Sequence, residues 1–145
     1  MTQSISQVKI VYLDIDYILS NSNKGKLILS NLENLNKKNI EILKSKEDLL
    51  KKEETELVKQ KNIISNEKFN EKVNNLKNKI KTFRIEKDKL VKNFNIDREK
   101  NINEFLKLVN QILNKYAEEN SINLLLNKKD ILMGKKSHNI TNIIL

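Results

Sequence analysis

Apolar residues crowd the first twenty positions, thin to a regular spacing through the next hundred, and crowd again at the end. Residues 8–13 (VKIVYL) are β-branched or apolar on both faces, which predicts a strand buried from two sides. Residues 14–22 predict a short helix or turn. From Lys24 the spacing turns helical and stays so for about forty residues. Leu35, Ile42 and Leu49 recur every seven positions beside a second row, Leu43, Leu50, Leu57 and Ile64, with Lys and Glu between them as on the solvated face of a coiled coil. A break is expected in NIISNEKF, with Ser65 capping the next helix and Glu67 at the positive end of its dipole. The return helix carries Phe69, Val73, Leu76, Ile80, Phe83, Leu90 and Phe94, with a gap at Lys87. It then slips by one residue and resumes as Ile102, Phe105, Val109, Ile112 and Tyr116, a slip that marks a change of winding or of packing partner.

At ~1.5 Å per residue, positions 24–62 would reach roughly 58 Å and positions 66–120 roughly 82 Å. The excess, near residues 104–120, has to pack on the N-terminal segment and the strands. Ile122, Leu124 and Leu126 alternate with Asn123, Leu125 and Asn127 before a polar turn, Asn127 to Asp130, and then Ile131, Leu132 and Met133. That pattern predicts a β-hairpin stopped by Gly134. The last segment, NITNIIL, predicts a short helix capped by Asn139. The fold class is α+β and mostly helical: a long antiparallel coiled-coil hairpin projecting from a small β-sheet body made by both chain ends. Residues 1–23 and 104–145 form the base, and residues 24–103 form the arm, with its turn near 62–66. Such an arm has no compact core and the base strands are apolar on both faces, so association is expected.

Composition narrows the function. The 145 residues include no Pro, no Trp and two Gly, and 32% are charged, which suits long helices and not a loop-rich enzyme. There is no Cys, so disulfides and thiolate metal sites are excluded, while the compartment is left open. No run approaches the ~20 apolar residues that span a bilayer. The opening MTQSISQ is polar and has no apolar stretch of a secretory signal, so the protein stays inside the cell or its signal has been removed. The net charge is +9, and residues 24–100 hold +8 of it, 21 basic against 13 acidic side chains. That field attracts polyanions, anionic lipid or acidic proteins. The abundance of Asn and Ile beside Lys points to a coding bias toward A and T, which makes part of the basicity drift.

Few residues carry candidate chemistry. Asp14-Ile15-Asp16 after an apolar strand resembles the first motif of haloacid-dehalogenase-type phosphatases, where the first Asp is the nucleophile. That chemistry also needs a distant Lys and an acidic pair holding magnesium on a doubly wound sheet, and no alternating strands and helices follow. The aspartates are expected to cap the next helix instead. GKKS at 134–137 is a turn, and His138, the only histidine, is a solvated loop residue. Asn139-Ile140-Thr141 matches the glycosylation acceptor by chance. No enzyme activity, cofactor or metal is expected.

Leu13-Asp14, Ile18-Leu19, Ser22 and Gly25-Lys26 at one end, and Tyr116-Ala117, Ile122 to Asn127, Ile131-Leu132 and Ile140-Thr141 at the other, resemble the Skp/OmpH family of periplasmic chaperones for outer-membrane proteins. Two departures are Ser121, where the family often has Gly, and Asn139, where Asp is usual. The resemblance implies a homotrimer whose three small sheets join into one body, with three helical hairpins around a cavity. It implies an ATP-independent holdase in the periplasm, with unfolded outer-membrane β-barrel proteins as clients and anionic lipid or lipopolysaccharide as further candidate partners. Val8, Ile10, Tyr12, Ile122, Leu124, Leu126, Ile131 and Met133 are the expected oligomer body. Ile63 and Ile64 at the turn, with Lys59, Lys61, Lys68, Lys72, Lys77, Lys81 and Arg84, are the expected client contacts. The alternative, a basic coiled-coil protein binding nucleic acid or anionic lipid, rests on charge alone. No specific nucleic-acid signature occurs, and few arm aromatics are free to stack on bases.

Overall fold

A computed structural model describes residues 7–145; the first six, which the expected base includes, lie outside the described residues. The order is β1 (Ile10–Leu13), α1 (Ile15–Asn21), α2 (Asn23–Gln60), α3 (Asn66–Glu119), β2 (Leu124–Asn127) and α4 (Thr141–Ile144), with 3-10 turns at Lys128–Asp130 and Lys136–His138. The chain forms two compact units, one from the residues up to Asn31 together with Glu99–Leu145, the other Leu32–Arg98.

The first unit is built on a two-stranded sheet. β1 and β2 run parallel, with Ile10 level with Leu124 and Leu13 level with Asn127. Ahead of the strands, the backbone N–H of Lys9 donates to Asn123 Oδ1 at 2.7 Å and Asn123 N–H returns to Lys9 O at 2.9 Å. Val11 and Leu13 point into a core with Ile18, Phe105, Val109, Leu113 and Ile140, and Leu13 is only 1% exposed. The other face of β1 is only partly covered by the described residues, with Ile10 exposed and Tyr12 half-buried: in a single copy the strand is fully buried from one side, not two. On α3 the residue turned inward is Leu113, and Ile112, expected in the core row, is outward.

The expected β-hairpin does not form. Only Leu124–Asn127 is a strand; Lys128–Asp130 wind into a 3-10 turn closed by Ile131 N–H to Lys128 O at 3.1 Å, and Ile131 to Met133 do not return along β2. Within that run Ile131 is half-buried, while Leu132 and Met133 stand almost fully exposed. The free edge of β1 is taken instead by the segment after Gly134, where Ile140 N–H donates to Tyr12 O at 2.9 Å and Tyr12 bridges Asn139 in parallel.

In the second unit the helices break where Ser65 predicts. The turn occupies residues 61–65, and Ser65 Oγ accepts from Lys68 N–H at 3.4 Å. Leu43, Leu50, Leu57 and Ile64 turn inward as expected. Their companion row is not Leu35, Ile42 and Leu49, for Ile42 is exposed and Leu49 is 64% exposed. The partly covered positions are Asn39, Glu53 and Gln60, one residue row away, with Lys46 on the same row but exposed. Lys46, Glu53 and Gln60 pair with polar side chains across on α3, which an apolar count does not see.

Candidate functional site: an uncovered sheet face and a basic helical pair

Two surfaces concentrate the residues singled out from the sequence, one in each unit. In the first unit, Ile10, Leu124 and Leu126 lie exposed, Tyr12 and Ile131 half-buried, and Met133 91% exposed. Ile10, Tyr12, Leu126, Ile131 and Met133 line one open cavity of about 640 Å³, closed on one side by Gly134, Lys135 and His138. Val8 is exposed ahead of the strand, whereas Ile122 packs against this chain's own core. Three contacts hold the C-terminal segment around the cavity. Tyr12 Oη donates to Lys135 O at 3.1 Å, and His138 Nδ1 lies 2.8 Å from Ile10 O. Gly134 lets the backbone pass against the Tyr12 ring, since a Cβ there would sit 2.8 Å from Cε1.

Local chemistry explains why the sequence folds this way at the two ends. Asp14 is the cap of α1, its Oδ1 accepting from Tyr17 N–H at 2.9 Å, and its other oxygen lies 3.6 Å from Lys128 Nζ. Asp14 N–H donates to the buried Thr141 Oγ1 at 2.9 Å, and Thr141 Oγ1 and N–H both donate to Asn139 Oδ1. The N-cap of α4 is Ile140 rather than the expected Asn139; Asn139, one residue earlier, acts as an acceptor for Thr141, a task a carboxylate performs equally. Ser22 Oγ accepts from Gly25 N–H at 3.0 Å to open α2, and Gly25 lies so close to α1 that a Cβ would stand 1.9 Å from Leu19 O. At the end of α3, Ser121 takes φ of 51°, and Ile122 N–H donates to Ala117 O at 3.0 Å, a left-handed stop that favours Gly.

In the second unit, Ile63 is 78% exposed on the turn and Ile64 half-buried. Lys77, Lys81 and Arg84 stand together on α3 around a shallow depression of about 390 Å³ with Ile80, Ile85 and Asp88. Lys59 lies 3.4 Å from Glu56 on its own helix, and Lys61 and Lys68 are exposed at the turn. Lys72 reaches across the helix pair to Gln60 Oε1 at 2.7 Å. Two ion pairs continue that line: Lys79 Nζ contacts both oxygens of Glu53 at 2.8 and 2.9 Å, and Lys46 donates to Glu86. Lys46, Glu53, Lys79 and Glu86 were not among the expected site residues. The seven-residue steps shared by 46, 53 and 60 and by 72, 79 and 86 are the signal that finds them.

A family model described as "Outer membrane protein (OmpH-like)" matches residues 9–145, so the chain belongs to the OmpH-like family. The fold is shared by the crystal structure of an OmpH-like protein from Caulobacter crescentus CB15: TM-score 0.85 at 14% sequence identity, over 99% of this chain and 85% of that one. No curated protein matches.

Proposed function

We propose that this protein is an ATP-independent holdase chaperone of the periplasm, which assembles as a homotrimer and keeps unfolded outer-membrane β-barrel proteins from aggregating. The observation that carries the reading is the uncovered apolar face of the base. Ile10, Leu124, Leu126 and Met133 leave enough apolar surface on one side of a two-stranded sheet that a second copy is its natural cover. Membership of the OmpH-like family supports the class, and the Caulobacter protein is described as a candidate outer membrane chaperone. In the assembly, three chains bring three times +9 of charge, and the lysine-rich helix pairs would line the space in which a client is held. Capture by that field is fast and screened over about 8 Å at physiological salt. Holding falls to weak apolar contacts, with Ile63 and Ile64 at the turns as the candidates. Contacts of that kind retain a chain without fixing its conformation.

The test is dilution of a urea-unfolded β-barrel membrane protein into buffer with and without this protein, followed by turbidity, with no nucleotide added. Suppression of aggregation is expected, by a species of about three times 17.0 kDa in light scattering. A 17.0 kDa monomer at working concentration, or unchanged turbidity, overturns the proposal. The charge supports one competing reading, a binder of nucleic acid or anionic lipid. That reading predicts that excess duplex DNA abolishes the suppression, whereas a holdase retains it.

A further inference from the structure

We infer that the charged row between α2 and α3 is a register key, which decides how the two helices of the Leu32–Arg98 unit align and so where the turn falls. Lys46, Glu53 and Gln60 advance in steps of seven along α2, while their partners Glu86, Lys79 and Lys72 retreat in steps of seven along α3. The apolar rows repeat with the same period: Leu43, Leu50 and Leu57 on one helix, Leu76, Phe83 and Leu90 on the other. Sliding one helix past the other by seven residues would therefore again bring apolar row to apolar row. Burial of apolar surface is non-directional and discriminates poorly between such alignments.

The charged rows discriminate. A slide that shortens the pair sets Glu53 level with Lys72 but Lys46 level with Lys79, and a slide that lengthens it sets Glu53 level with Glu86. Each introduces a like-charge pair where the observed alignment has opposite charges. The turn alone does not forbid the shorter alignment, because Asn62 is as good a cap as Ser65, three residues earlier. Starting α3 at Asn62 would wind Ile63 and Ile64 into its first turn. In the observed alignment the turn keeps Ile63 out in solvent. The key thus controls whether the turn presents an apolar tip.

A single substitution should pick the lock. Lys79→Glu places two carboxylates opposite each other in the observed alignment, while the shorter alignment then pairs Lys46 with the new carboxylate and Glu53 with Lys72. The chain has no native cysteine, so spin labels at Ser45→Cys with Lys87→Cys, and at Ser45→Cys with Lys81→Cys, report alignment without background. Position 87 is level with Ser45 in the observed alignment, and position 81 becomes nearly level in the shorter one. Seven residues carry one helix about 10 Å along the other. In pulsed dipolar measurements on the full chain, Lys79→Glu is expected to lengthen the 45–87 distance and shorten the 45–81 distance. Adding Glu53→Lys to Lys79→Glu should return both, and Lys79→Gln, which offers no new pairing, should leave both unchanged. Retention of both original distances in Lys79→Glu overturns the inference, and so does a slide in Lys79→Gln. Loss of helical circular dichroism with no exchange of the two distances also overturns it, because a key predicts a second folded alignment.

Discussion

Ser121 offers a direct measure of how well the turn out of α3 is built. Its φ of 51° lies in the left-handed region, where an L-residue with a Cβ pays about 1–2 kcal/mol. Glycine escapes that cost but loses more chain entropy on folding, about 0.4–1 kcal/mol relative to a residue with a Cβ. The difference leaves Ser121→Gly stabilising by roughly 0.5–1 kcal/mol. The turn holds the site firmly in this conformation. Asn120 N–H and its side-chain amide both donate to Tyr116 O, Lys9 Nζ donates to Asn120 O at 3.0 Å, and Ile122 N–H donates to Ala117 O. Relaxation to an extended φ at position 121 would break these bonds together, so the strain stays where it is. Urea unfolding of Ser121→Gly and the native chain at one protein concentration, followed by helical circular dichroism, should show a higher midpoint with an unchanged slope. Ser121→Val, β-branched and hence worse in this region, should lower the midpoint by at least as much. A lower midpoint for Ser121→Gly, or equal midpoints for Ser121→Gly and Ser121→Val, would refute the argument from backbone strain.

Gly25→Ala should destabilise the base by about 3 kcal/mol, against the usual gain of alanine over glycine inside a helix, because the new Cβ meets the Leu19 carbonyl; thermal unfolding checks it. Thr141→Val keeps the shape but strips the acceptor of Asp14 N–H, at a cost of roughly 1–3 kcal/mol in urea unfolding. Replacing Ile63 and Ile64 together with Ser should weaken aggregation suppression severalfold while light scattering shows the same assembled mass. An unchanged suppression curve would remove the tip from the holding mechanism.

The helices were legible because their signals are local. Periodicity gave both long helices to within two residues at their ends, and Asp14 and Ser65 act as the caps their types and positions suggested. One of the two rows chosen on α2 failed for a physical reason: Ile42 and Leu49 are apolar but outward, and the row that reaches across to α3 beside Leu43, Leu50 and Leu57 is polar. A reading by hydropathy treats Lys46 and Glu53 as solvent-facing by default. The parallel pairing of β1 with β2 joins residues more than a hundred positions apart, and the alternation of residues 122–133 fits a local hairpin equally well. At the ends, the resemblance flagged Gly25, Ser121 and Asn139 as positions of note. Their reasons, a close backbone approach, a left-handed turn and a shared oxygen acceptor, became visible only in three dimensions.

The pairing of Lys9 with Asn123 also has a consequence for the order of events during synthesis. The opening strand leaves the ribosome more than a hundred residues ahead of its partner, so it has nothing to zip onto while the helices behind it are being made. Local helix contacts close in microseconds, whereas this contact has to wait for nearly the whole chain. Until the last twenty-odd residues emerge, an apolar β-branched strand is left bare, in a protein we propose to be a guardian of other bare strands.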